Sequence, residues 1–237
     1  MRKILLNRTF RAPDGSTPPI PPAITLVEAF GGSPGGFADT TYNIVATLEE
    51  NDFIIIFGAS DQADGSTPLY VSDGYTFLYE GPNTLPSVRC WYKKMTATPD
   101  TTIRLDDWGN SVWSVAYRGV ILRGVNTTTP IDVTTVANIS DTESGTFTAN
   151  AITTATDGAA LVFFGGMDDQ DGFTVSSYPT DYTEARGTQS SSDGASSATV
   201  ASCVWLNSGA AGLKSAVSMV TNGFDHVKTI HVALRPA

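Results

Sequence analysis

Short apolar runs punctuate this chain, few of them at helical spacing, and Gly, Pro, Asp and Ser fill the intervals. From Ile24 onward the pattern is that of strands: Tyr42 to Thr47, Phe53 to Phe57, Tyr75 to Tyr79, Val88 to Met95, Ile103 to Leu105 and Val112 to Tyr117. A second series follows with Thr146 to Ile152, Ala160 to Phe164, Tyr182 to Ala185, Ala198 to Trp205, Ala216 to Val220 and Val227 to Leu234. About a dozen strands at such spacing predict an all-β fold, an antiparallel β-sandwich of jelly-roll-like form. Residues 11–22 hold five prolines and can join neither a ladder nor a helix. Residues 1–22 therefore read as an extended N-terminal arm and 23–237 as the sandwich.

The pattern also recurs. Phe53 to Gly58, followed by an acidic turn from Asp61 to Gly65, reappears as Ala160 to Gly165 followed by Asp168 to Gly172, with Phe57 and Phe164 107 residues apart. The offset becomes 113 at Cys90 and Cys203, and 117 where Val115-Ala-Tyr-Arg118 meets Val232-Ala-Leu-Arg235. A period this long points to duplication of a half-domain, with related halves near residues 40–120 and 146–237. Residues 126–136 are Thr- and Val-rich and read as strand, not spacer, which favours one sandwich over two beads. In the last strand of each half, Trp113, Val115 and Tyr117 share one face and Ile230, Val232 and Leu234 the matching one, both expected in the core. Phe53 to Phe57 and Ala160 to Phe164 are apolar without alternation, so both faces need cover. The arm, a long loop or a neighbouring subunit would supply it, and the last of these hints at assembly.

Composition narrows the function classes. Charged residues make up 16% of the chain and the formal net charge is −10, with the basic residues scattered. Nucleic-acid binding draws on clustered Lys and Arg, so no nucleic-acid partner is expected. No apolar run approaches the length of a membrane span, and the N-terminus lacks a signal-peptide core. Folding in a cytoplasm is the expectation. Two cysteines make no disulfide framework and read as equivalent core positions in the two halves.

Gly31-Gly-Ser33-Pro34-Gly35 matches the nucleophile-elbow pattern, but Pro34 has no N–H to offer an oxyanion. Gly209 to Ser215 resembles a phosphate loop with Leu213 misplaced, and reads as a hairpin loop. The acidic turns carry Asp61, Asp64, Asp168, Asp169 and Asp171, which present oxygen ligands suited to Ca²⁺ but also the ordinary chemistry of Asp-Gly turns. Trp108, with Tyr75 and Tyr182, forms a candidate sugar-stacking set, since flat aromatic faces fit pyranose rings. His226 and His231 are read as solvent-facing strand residues that do not share a metal-binding face. No pair of carboxylates is singled out for catalysis, and no cofactor is expected apart from Ca²⁺ at those turns.

Trp113-Ser-Val-Ala-Tyr-Arg-Gly-Val120, then Thr129-Pro-Ile-Asp132, Thr156-Asp-Gly-Ala-Ala-Leu-Val-Phe-Phe164, Tyr182-Thr-Glu-Ala-Arg186 and the ending His231-Val-Ala-Leu-Arg-Pro-Ala237 come in a distinctive order. In that order the chain resembles a family of bacteriophage β-sandwich proteins of tails and virion surfaces, over roughly residues 40–237. The Trp expected ahead of the final strand is absent, and Ile230 and His231 stand in its vicinity. The resemblance implies a non-catalytic virion structural protein, a capsid decoration or tail-associated component made in the host cytoplasm. Its partners would be other virion proteins and copies of itself. The alternative is a carbohydrate-binding host-adhesion module, with host glycan as partner.

Overall fold

A computed structural model of the chain describes residues 23–33, 40–60, 74–81, 84–105, 115–168, 173–193 and 196–237. Its strands in chain order are β1 (Thr25–Gly32), β2 (Thr40–Asn43), β3 (Phe53–Ser60), β4 (Thr76–Glu80), β5 (Ser87–Lys94), β6 (Thr102–Leu105), β7 (Val115–Arg123), β8 (Val136–Ala149), β9 (Ile152–Thr154), β10 (Ala160–Asp168), β11 (Val175–Ser177), β12 (Glu184–Asp193), β13 (Ser196–Trp205), β14 (Gly212–Lys214) and β15 (Val217–Leu234). All pairings are antiparallel, and the described residues contain no helix.

The two runs lacking alternation, β3 and β10, lie inside two facing sheets. One sheet has the order β1-β7-β3-β5-β4. The other runs β11-β15-β10-β13-β12, with β8 also paired to β15. Each sheet thus draws on one half of the chain, and the strand order through β7-β3-β5 is matched by β15-β10-β13. Between the sheets Phe53, Ile55, Phe57 and Ala59 meet Ala160, Val162 and Phe164 in one cluster. Phe57 and Phe164 stack there at 5.4 Å with ring planes 10° apart. Burying side chains of this size contributes about 1.5–3 kcal/mol each.

Both sheets are also covered on their outer faces, and the cover comes from the chain itself. Ile54 and Ile56 of β3 pack with Ile103 and Leu105 of β6, and Tyr42, Ile44 and Leu48 lie against them. Leu161 and Phe163 of β10 pack with Phe147, Ile152, Tyr182 and Met219. The second cover depends on a bend. Asn138 Nδ2 donates to the carbonyl of Thr148 at 3.0 Å although both belong to β8. Ten extended residues would separate them by about 33 Å. The β8–β15 ribbon therefore doubles back, at register irregularities between Val220 and Asp225 and between His226 and Val227. Its returning end lays Phe147 over Gly165. The doubly apolar strands consequently need no second subunit for shielding.

The ladders correct the register of the proposed repeat. With Phe57 set against Phe164, their partners are Cys90 and Ser202 in one direction and Arg118 and Ile230 in the other. Both differences, 202 − 90 and 230 − 118, are 112, not 113 or 117. A slip by an odd number of residues exchanges the two faces of a strand. Cys90 accordingly lies between the sheets and Cys203 in the outer cluster, so they are not equivalent. Val115 and Tyr117 face outward under cover, while Ala116, Val120 and Leu122 face the other sheet as Ile230, Val232 and Leu234 do. Residues 126–136 are mostly irregular: β8 begins only at Val136, and Ile131 makes an isolated bridge to Leu234. Here Asp132, its side chain shut away from solvent, accepts from the Ala155 N–H at 2.6 Å, the Thr156 hydroxyl at 2.5 Å and Arg235 Nε at 3.2 Å. Those bonds organise a segment that lacks a ladder.

Candidate functional site

Of the residues proposed for chemistry, Trp108, Asp61, Asp64, Asp169 and Asp171 lie outside the described residues. Asp168 closes β10 opposite Ala198. Tyr75 is half-buried against the outer cluster of the first sheet, with Lys93 Nζ 5.4 Å from its ring centre. Burial is the main cause holding its hydroxyl protonated, with the Asp100 charge adding to it.

Tyr182 is not on a rim. It is buried, and its hydroxyl lies 2.6 Å from Nε2 of His231, itself fully buried and not solvent-facing. His231 Nδ1 sits 3.0 Å from the Asn150 carbonyl. A carbonyl only accepts, so Nδ1 carries the hydrogen and Nε2 accepts from Tyr182. Alternation does not carry through from His226 to His231, because the register shifts between His226 and Val227, and the face of His231 is roofed by the returning ribbon. Neither Tyr182 nor His231 can therefore touch a sugar. The loop at Gly209 to Ser215 holds no phosphate cradle: Lys214 Nζ donates to the carbonyls of Ser208 at 2.5 Å and Ala210 at 2.7 Å, closing the loop on itself. Compared with protein-family models, curated proteins and solved structures, the chain matches none.

Two features that alternation does not reveal converge on the bend of the β8–β15 ribbon. On the polar side, Glu143, Asp225 and His226 bring one ligand atom each to within 4.8 Å of one another. Glu143 stands directly across the ladder from His226, and Asp225 Oδ1 lies 3.0 Å from His226 Nδ1. Adjacent residues of a regular strand point to opposite faces. The irregularities flanking Asp225 and His226 re-aim them, which is a common use of a bulge. Beside Glu143 opens a cavity of about 180 Å³ lined by Asn138, Ser144, Thr146, Thr148, Val227 and Thr229, residues from both limbs of the bend.

On the apolar side, Phe224 is 69% exposed and Val220 42% exposed. Both border the same stretch of β8: Val220 pairs with Thr146, and the Phe224 ring lies 3.7 Å from the point a Cβ on Gly145 would occupy. The signal available in the sequence was the string Gly223-Phe224-Asp225-His226 inside a strand-like run, where a glycine marks a bulge or bend.

Proposed function

We propose that this protein is a non-catalytic structural component of a bacteriophage virion, a capsid decoration or tail-associated protein that works through protein–protein contacts. The observation that carries the reading is that two of the five exposed large apolar side chains among the described residues, Phe224 and Val220, border the same stretch of β8 on the bent ribbon. A phenylalanine held in water on a strand forgoes the stabilisation that burial brings, and contiguous exposed apolar surface marks contact sites. The family resemblance supplies the virion setting, and the matching central strand orders of the two sheets accord with a half-domain duplication. The acidic balance of the chain disfavours a nucleic-acid partner.

The test is sedimentation of intact particles from an infected host, probed for the chain, with wild type and Phe224→Ser supplied in turn. Wild type travels with the particles. The variant, folded to the same thermal midpoint, remains at the top of the gradient. A wild-type chain found only as free monomer overturns the reading.

A further inference from the structure

We infer that the bend of the β8–β15 ribbon is a binding site for a divalent transition-metal ion, held by Glu143, Asp225 and His226. The donor set is one imidazole nitrogen and two carboxylates, a mixture that suits Zn²⁺ better than Ca²⁺ or Mg²⁺, which prefer all-oxygen shells. The geometry is close to what such an ion needs. Zn²⁺ takes nitrogen and oxygen ligands at about 2.0–2.2 Å, so ligand atoms spread over no more than 4.8 Å require only a modest inward swing. Glu143, the exposed member, is free to make it. Asp225 and His226 are only partly exposed, with side chains 29% and 35% accessible, and flanking bulges fix their directions.

Two further observations favour an ion there. Two carboxylates are drawn together beside an imidazole in a protein that already carries a net charge of −10, and a divalent ion between them would relieve their mutual repulsion. The site also has room for a fuller shell, because a cavity of about 180 Å³ lined by Glu143 and by polar residues of both strands adjoins it and can admit water or a small anionic ligand. Its place in the fold gives the ion a role. Asp225 and His226 come from β15 and Glu143 from β8, at the point where both strands turn back. An ion bridging them would pin the bend that carries Phe147 over the second sheet and presents Phe224 outside. The site stands apart from the virion reading: it would hold its ion whether or not Phe224 meets a partner.

The experiment uses the full, untagged chain freed of metal with a chelator and titrated with Zn²⁺ alone, then with Ca²⁺ alone. Heat is read by calorimetry and the two histidines by proton NMR. The expected result is one Zn²⁺ per chain, a shift or broadening of the His226 ring signals with those of His231 unmoved, and little response to Ca²⁺. Loss of even an outer-shell partner weakens metal binding by about 10- to 100-fold, so His226→Gln and Glu143→Gln should each weaken it by at least about tenfold. Glu143→Gln, at an exposed position, keeps the test intact if the His226 variant does not fold. No Zn²⁺ binding in the millimolar range overturns the proposal. So does stoichiometric binding that survives Glu143→Gln undiminished, or binding that leaves the His226 signals unmoved.

Discussion

At the scale of single residues, the most consequential side chain is His231. Its imidazole is sealed in the second sheet's outer layer, with the Tyr182 hydroxyl on one nitrogen and the Asn150 carbonyl on the other. Desolvation by burial lowers its pKa below the ordinary 6.5, against a smaller opposing effect of the Asn150 bond. The unfolded chain therefore binds a proton near pH 6.5 that the folded chain does not, so stability should decline as pH falls below that value. Urea midpoints measured from pH 7.5 to pH 5.5 should show this decline, and His231→Phe should flatten the part of it due to this residue. Removing only the hydroxyl, as in Tyr182→Phe, leaves Nε2 without its donor at a cost of about 1–3 kcal/mol. Nothing in the sequence marked this pair, because strand alternation puts His231 on the outer face and does not say that the chain returns to cover it. Its role is structural, and the same burial withdraws Tyr182 from any glycan surface.

Among the elements, β3 and β10 show how a strand buried on both faces dictates its neighbours. Gly58 and Gly165 end the matching apolar runs because an aromatic ring lies on each. A Cβ at Gly58 would meet the Tyr117 ring at 2.7 Å, and one at Gly165 would meet Phe147 Cγ at 2.5 Å. Gly165→Ala should therefore destabilise the protein by about 1–3 kcal/mol through overpacking, read as a lower urea midpoint with an unchanged slope. No change in midpoint would mean that the ribbon does not lie down on the sheet as described. The existence of these strands was legible from their apolar runs and flanking turn residues, as were β5, β6 and β13. The pairing register was not. Residue similarity aligned Val115 with Val232, whereas hydrogen bonding aligns Val120-Ile-Leu-Arg123 with Val232-Ala-Leu-Arg235. Both choices match Val and Arg at their ends, and only the ladder distinguishes them. The bend in β8 and β15 was also hidden, since a doubled ribbon and two shorter strands produce the same alternation. The Glu143, Asp225 and His226 cluster depends on that bend and was illegible for the same reason.

For the whole molecule, two sheets, each from one half of the chain, enclose one core and carry their own covers. This arrangement removes the simplest argument for assembly, that bare strand faces demand a partner, and shifts the weight to the exposed tip of the β8–β15 ribbon. Val45, Phe77 and Leu213 are also exposed elsewhere, but at this tip two exposed apolar residues, Phe224 and Val220, border one stretch of β8. If the protein acts by docking, this tip is where a second chain should be found. The direct measurement places a photo-activatable phenylalanine analogue at position 224, assembles or isolates particles containing the substituted chain, and irradiates them. The account predicts a covalent adduct between this chain and a second protein chain in the particle. Irradiated particles that contain the chain and yield it only at its own mass would contradict it.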